Sequence, residues 1–222
     1  MNLCLFDLDH TLLPLDSDHE FGEFLCRTGL ADADHYRARN NAFYDQYCSG
    51  TLVLDEYIEF STSVWRQLDA AGQAALQERF MLEVIRPALH PVALELVERH
   101  RQMGDVIAIV TATNEFVTRP IADAFGVPDL IAVKLVRDAQ GRVTGEIDGV
   151  PSFREGKITR VAQWLEERGQ ALTDFDRVSF YSDSPNDLPL LEQATDPVAT
   201  NPSPALQAEA ELRGWRLLNL FS

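Results

Sequence analysis

Leu3-Cys4-Leu5-Phe6-Asp7-Leu8-Asp9-His10-Thr11 is the stretch on which the reading of this chain turns. Leu3–Leu8 is a near-continuous apolar run, the pattern of a strand covered on both faces. It ends in two carboxylates and a hydroxyl. Asp7 and Asp9 are two residues apart, so an extended strand end points both the same way. Taken alone, an Asp and a Thr after an apolar strand also make an ordinary turn that caps a helix. Three further fragments, in order along the chain, count against that reading: Ile109-Val110-Thr111-Ala112-Thr113, a lone Lys157, and Asp183-Ser184-Pro185-Asn186-Asp187.

Working outward, the pattern from about Asp16 to His90 is helical. Tyr36, Asn40, Phe43, Tyr44 and Tyr47 form one stripe, and Leu76, Phe80, Met81 and Ile85 another. No strand is expected there, so residues 16–88 read as a helical insertion docked over the end of strand one. Residues 1–15 and 89–222 are left to form the core. After His90 strands and helices alternate. Asp105–Thr111 reads as a strand, Glu115–Phe125 as a helix, and Leu130–Val136 with Arg142–Ile147 as a β-hairpin. Gly156–Arg168 and Pro204–Arg213 read as helices, Arg177–Ser182, Asp196–Thr200 and Trp215–Leu220 as strands. Such alternation implies an α/β fold, a three-layer αβα core on a mostly parallel sheet. Ligands of such sheets bind beyond the carboxyl ends of the strands, which gathers Asp7–Thr11, Thr111–Asn114 and Asp183–Asp187 around one crevice.

The chain has 222 residues and a net charge of −16, from 35 acidic and 19 basic residues. That balance argues against a nucleic-acid partner, which selects a basic face, and against an anionic membrane surface. No apolar run approaches a membrane span. Cys4, Cys26 and Cys48 lack CxxC spacing. Cys4 reads as a buried free thiol, and the odd count with no visible leader segment points to a reducing cytoplasm. A phosphorylated partner would have to be attracted locally, by a metal ion and a lysine, because salt screens the distant field.

The four motifs together resemble the haloacid dehalogenase superfamily, in the phosphoserine-phosphatase-like branch with a helical cap after the first strand. The resemblance covers nearly the whole chain. It implies a phosphatase acting on a small phosphorylated metabolite through Asp7 as nucleophile, with Asp9 as acid and then base. The family's acid–x–acid–x–hydroxyl pattern falls on Asp7, Asp9 and Thr11. Mg²⁺ would be held by oxygen ligands, Asp7, the Asp9 carbonyl and Asp183, with Asp187 in the metal shell directly or through water. Thr111 and Lys157 would take phosphoryl oxygens; the assignment of Lys157 rests on the resemblance. Ser182 stands where the family often has glycine, and a slightly tighter loop is expected.

The substrate is less legible. In this branch an acidic residue soon after the nucleophile motif takes a substrate amine, and Asp16 occupies that place. Ser17-Asp18-His19-Glu20 reads as a capping box opening the first inserted helix, so Asp16 is the expected contact. Ala112 and Thr113 follow Thr111 where the branch commonly has glycines, which narrows the approach and weighs against phosphoserine. Asn186 is placed to reach phosphate or product. A cap arginine for a substrate carboxylate is not singled out among Arg27, Arg37, Arg39, Arg66, Arg79 and Arg86. Phosphoserine and histidinol phosphate both stay open, as do a phosphotransferase or mutase on the same scaffold and a catalytically silent ligand-binding protein.

Overall fold

Strand β1 (Asn2–Phe6) hydrogen-bonds along both edges, to β2 (Val106–Asn114) on one side and β6 (Arg177–Ser182) on the other. A strand buried on both faces and both edges has to be apolar, which is why Leu3 to Phe6 carry no charge. The computed structural model describes residues 1–221, and in it the sheet runs β3 (Leu130–Val133), β2, β1, β6, β7 (Asp196–Thr200), β8 (Arg216–Leu218). All neighbouring pairs are parallel.

Between β1 and β2 the chain is helical: α1 (Ser17–Arg27), α2 (Ala33–Ser49), α3 (Leu54–Thr62), a 3₁₀ turn at Trp65–Gln67, α4 (Ala70–Phe80), a π turn at Met81–Ile85, α5 (Arg86–Ala88) and α6 (Pro91–Gln102). Then come α7 (Glu115–Ala124), β4 (Leu135–Arg137), β5 (Val143–Ile147), α8 (Glu155–Glu166), α9 (Leu188–Leu191) and α10 (Pro204–Arg213). Side chains of β1 alternate between two cores. Leu3 and Leu5 pack with Phe180 and with Val161 and Leu165 of α8. Cys4 and Phe6 face the other layer, with Val97 of α6 and Ile121 of α7. This is the three-layer α/β core that the alternation predicts.

Four local expectations need correction. The run Leu130–Val136 is not one hairpin arm: Leu130–Val133 joins the parallel sheet as its edge, and only Leu135–Arg137 pairs antiparallel with Val143–Ile147. An apolar run carries no mark of where it changes sheets. Strand β1 ends at Phe6 rather than Leu8, and β2 continues past Thr111 to Asn114. Helix α1 is capped by Asp16, whose carboxylate accepts from the backbone N–H of Asp18 and His19 at 3.0 and 2.8 Å. Ser17, the expected cap, is instead buried with its hydroxyl unpaired. Asp at this position satisfies orphan helix donors as well as Ser does.

The inserted helices share one continuous apolar cluster with the α6–α7 face of the core. Phe21 lies edge-on to Phe80 at 4.9 Å, and Trp65 stacks flat on Phe116 at 3.8 Å, tying the insertion to α7. The hairpin gives a second attachment. Arg66 donates to the Thr144 carbonyl at 2.7 Å and is braced by Glu59 at 2.6 Å. Gly145 beside it has φ 96°, and a Cβ there would stand 1.6 Å from the Arg66 guanidinium. Among the described residues no helix is long and apolar enough to cross a membrane.

Candidate active site

The loop leaving β1 is fixed from two sides. Asp7 N–H donates to the Tyr181 carbonyl at 2.9 Å. His10 takes a positive φ of 55°, a conformation costly for a side-chain-bearing residue. Asn201 offsets that cost by donating to the carbonyls of His10 and Thr11 at 2.9 and 3.2 Å. The turn therefore carries Asp7 and Asp9 past the sheet end with their carboxylates held inward.

Asp7 is 5 % exposed. Lys157, from the first turn of α8, reaches its Oδ1 at 2.7 Å and the Asp187 carboxylate at 2.8 Å. Ser182 Oγ donates to Asp187 Oδ2 at 2.7 Å. The protein partners of Asp187 are thus a lysine and a hydroxyl. Thr11 Oγ1 sits 3.4 Å from both Asp7 Oδ2 and Asp183 Oδ1. One ammonium here faces three carboxylates. Burial first, then the charges of Asp187 and Asp9, push Asp7 up to about 7 against the pull of Lys157. Burial and the charges of Asp7 and Asp187 raise Asp183 well above the carboxylate range. Burial disfavours the charged lysine, but Asp187 and Asp7 outweigh it and Lys157 stays a cation.

Asp9 accepts from Ser17 N–H at 2.7 Å and from Thr113 Oγ1 at 2.9 Å. Burial, with Asp16 close by, nevertheless lifts it to about 6. Thr113 is thereby committed to Asp9. Thr111 is held by a backbone contact, Ser152 Oγ donating to its carbonyl at 2.5 Å, and it lines a cavity together with Asp7, Asp9, Asp16 and Ala112. Asp18, His19 and Asn40 close the cavity on one side, and Phe43, Tyr44, Tyr47, Tyr57 and Phe153 supply aromatic walls. Asn186, expected near phosphate, donates to the Tyr47 carbonyl at 3.3 Å and so joins the last acidic loop to α2.

None of the six cap arginines lines this cavity. Arg37 pairs with Glu23, Arg66 with Glu59 and Arg79 with Glu83. Arg27 lies over the Phe24 ring and Arg39 over Phe43 and Phe60. The structural parts of Ser152, Ser182 and Asn201 are absent from the sequence reading. Small polar residues beside motifs are common, and only the fold tells which carbonyl or carboxylate each will meet.

Among the described residues no three His, Cys, Asp or Glu side chains converge as a metal cluster. The expected Mg²⁺ set needs two carboxylates, Asp7 and Asp183, and a main-chain carbonyl. Hard oxygen donors with uncompensated buried negative charge fit a small divalent cation.

Comparison with known proteins identifies the family. The family model of haloacid dehalogenase-like hydrolases matches residues 4–192. The chain is 41 % identical over 218 residues to a histidinol-phosphatase of Neisseria meningitidis serogroup C (strain 8013), covering 98 % of both chains. A solved structure of a Bordetella pertussis Tohama I protein of unknown function superposes with a TM-score of 0.94 at 51 % identity, over 99 % of each chain. A substrate-bound phosphoserine phosphatase superposes with a TM-score of 0.69 at 18 % identity, over 97 % of this chain and 91 % of that one, a likeness of fold. With its sheet order, its acidic strand ends and these relatives all in agreement, the chain belongs to the haloacid dehalogenase-like hydrolases and is one of their phosphatases.

Proposed function

We propose that the protein hydrolyses a small amine-bearing phosphomonoester through an aspartyl-phosphate on Asp7, with histidinol phosphate as the preferred substrate. The observation that carries the mechanism is the buried contact of Lys157, from behind the cavity wall, with Asp7, which lines the cavity. A carboxylate braced by a cation on one oxygen keeps the other available to attack phosphorus. Asp9, tethered by Ser17 and Thr113, is positioned to give a proton to the leaving oxygen and later take one from water. Thr111 and Lys157 bind phosphoryl oxygens as charge redistributes. Asp7, the Asp9 carbonyl and Asp183 would hold Mg²⁺, which supplies charge neutralisation between carboxylate and phosphate. Asp187 acts on Lys157 as a positioning residue.

The substrate preference follows from charge. Asp16 lies in the cavity to take an amine, and no lysine or arginine lines it to take a carboxylate. Phosphoserine carries a carboxylate and histidinol phosphate does not; the name of the Neisseria relative supports the same choice. Residues 16–88 act as a cap over a core of residues 1–15 and 89–222; Ala112, in the cavity lining, meets the substrate, and Asn186 takes phosphate or product as it leaves. The protein works in the cytoplasm on this reading.

The test is phosphate release with Mg²⁺ from histidinol phosphate, phosphoserine, phosphoethanolamine and sugar phosphates, with Asp7→Asn as the blank. Histidinol phosphate should be turned over with the highest kcat/KM. Preference for phosphoserine would refute the substrate assignment, and no release above the blank would refute the activity.

A further inference from the structure

Three carboxylates line the cavity beside Asp7, and the structure treats them differently. Both oxygens of Asp9 are occupied, by Ser17 N–H and Thr113 Oγ1. Asp16 spends Oδ1 on the two N–H groups that open α1. Asp18 is 8 % exposed and has no ion-pair partner among the described residues. Its protein partners are neutral donors only: Asn114 Nδ2 reaches Oδ1 at a long 3.5 Å, and the Tyr57 hydroxyl hydrogen-bonds the carboxylate. A carboxylate so far out of water and left without a cation is costly, and folded chains rarely retain one without use.

We propose that Asp18 is a specificity-determining residue, receiving a second nitrogen-bearing group of the substrate while Asp16 receives the first. This rests on the phosphatase reading above. The surroundings suit a flat cationic or N–H-donating ring. Tyr57 and Phe43 lie at 5.3 Å with their rings crossed, and both line the cavity along with Tyr44 and Tyr47. Aromatic faces attract cations, and flat walls select flat groups. His19 is the sole basic side chain of the lining, and its ring is held by Asn41 at 2.8 Å and by Tyr44. A phosphomonoester with an ammonium and an imidazole meets both carboxylates. One with an ammonium alone meets only Asp16, and one with a carboxylate meets repulsion from each. Burial, together with the charges of Asp16 and Asp9, raises the Asp18 carboxyl well above its ordinary range, so a bound cation would relieve what the apo fold leaves unbalanced.

The competing structural role is plain: Asp18 lies in the first turn of α1, where an acid favours the helix dipole. The two roles separate kinetically. Asp18→Asn and Asp18→Glu should be assayed on histidinol phosphate, phosphoethanolamine and p-nitrophenyl phosphate, with folding checked by circular dichroism. The ratio of kcat/KM for histidinol phosphate over p-nitrophenyl phosphate should fall about 10–100-fold in Asp18→Asn, through KM, as expected for loss of a charged hydrogen bond. Asp18→Glu should recover part of it, and the phosphoethanolamine ratio should fall less. An equal loss on all three esters, or an unaltered KM for histidinol phosphate, would overturn the proposal. Calorimetric binding of histidinol phosphate to Asp7→Asn, with and without Asp18→Asn, decides the point independently of turnover. Equal affinity of the two would refute the role of Asp18. Failure of the wild-type protein to hydrolyse any ester would instead refute the phosphatase reading itself.

Discussion

Lys157 and Asp7, 150 residues apart in the chain, meet at 2.7 Å in a buried ion pair, and the same ammonium holds Asp187 at 2.8 Å. Removing the lysine leaves two carboxylates buried without a cation. Lys157→Met should therefore cost about 3–5 kcal/mol of stability as well as nearly all turnover. Lys157→Arg should not restore activity, because a planar guanidinium cannot replace a point charge between two oxygens in a packed site. Urea unfolding of the variants checks the first statement; Lys157→Met as stable as the wild type would contradict it.

Ser182 Oγ donates to Asp187 Oδ2 at 2.7 Å and accepts from Ser184 N–H at 3.2 Å. Ser182→Ala removes a hydrogen bond to a charged acceptor, worth about 1.5–3 kcal/mol. It should also lower kcat by loosening Asp187 and, through it, Lys157. Steady-state kinetics should show a fall in kcat with a small change in KM. The reverse pattern would mean that Ser182 touches substrate rather than the lysine brace.

Stability should depend on pH through Asp18. Its carboxyl is raised by burial first and by Asp16 and Asp9 next. A group whose folded pKa lies above its unfolded value contributes stability that is full below the unfolded pKa and lost as pH rises through the folded one. Asp18→Asn removes that loss. The variant should melt higher than the wild type at pH 8, and the gap should close as pH falls toward 4. A variant that melts lower at pH 8 would show that the carboxylate is held by a contact stronger than Asn114.

Gly145 has φ 96° and stands where a Cβ would strike Arg66. Gly145→Ala should destabilise by about 1–3 kcal/mol through overpacking. In Arg66→Ala the same change should cost less, leaving only the backbone strain. A double-mutant cycle measures the difference, and strict additivity would contradict the contact.

The sheet and its αβα layers were legible because apolar runs, helical stripes and turn residues repeat in phase along the core, from Leu3–Phe6 to Arg216–Leu218. So was the gathering of Asp7, Asp9, Thr111, Asp183 and Asp187, since each motif falls at a strand end that the parallel topology brings to one edge; Lys157 joined them only through the family resemblance, because a single lysine on a helix carries no mark of the carboxylates it will meet. Less could be read where one residue type serves two ends. Asp16 and Ser17 are both good caps, and the choice of Asp16 depends on Ser17 N–H being called to Asp9. Leu130–Val136 divides at Lys134 because two sheets compete for one apolar run. The arginines could not be ranked from sequence because what each meets, Glu59 for Arg66 or the Phe43 ring for Arg39, is set by how the inserted helices pack.

The central claim is that phosphorus passes through Asp7. Turnover of histidinol phosphate quenched rapidly with borohydride should reduce an acyl phosphate to the alcohol, and peptide mass spectrometry should find homoserine at position 7 only when substrate was present. Unmodified Asp7 in enzyme quenched during active turnover, or reduction at another carboxylate, would contradict it.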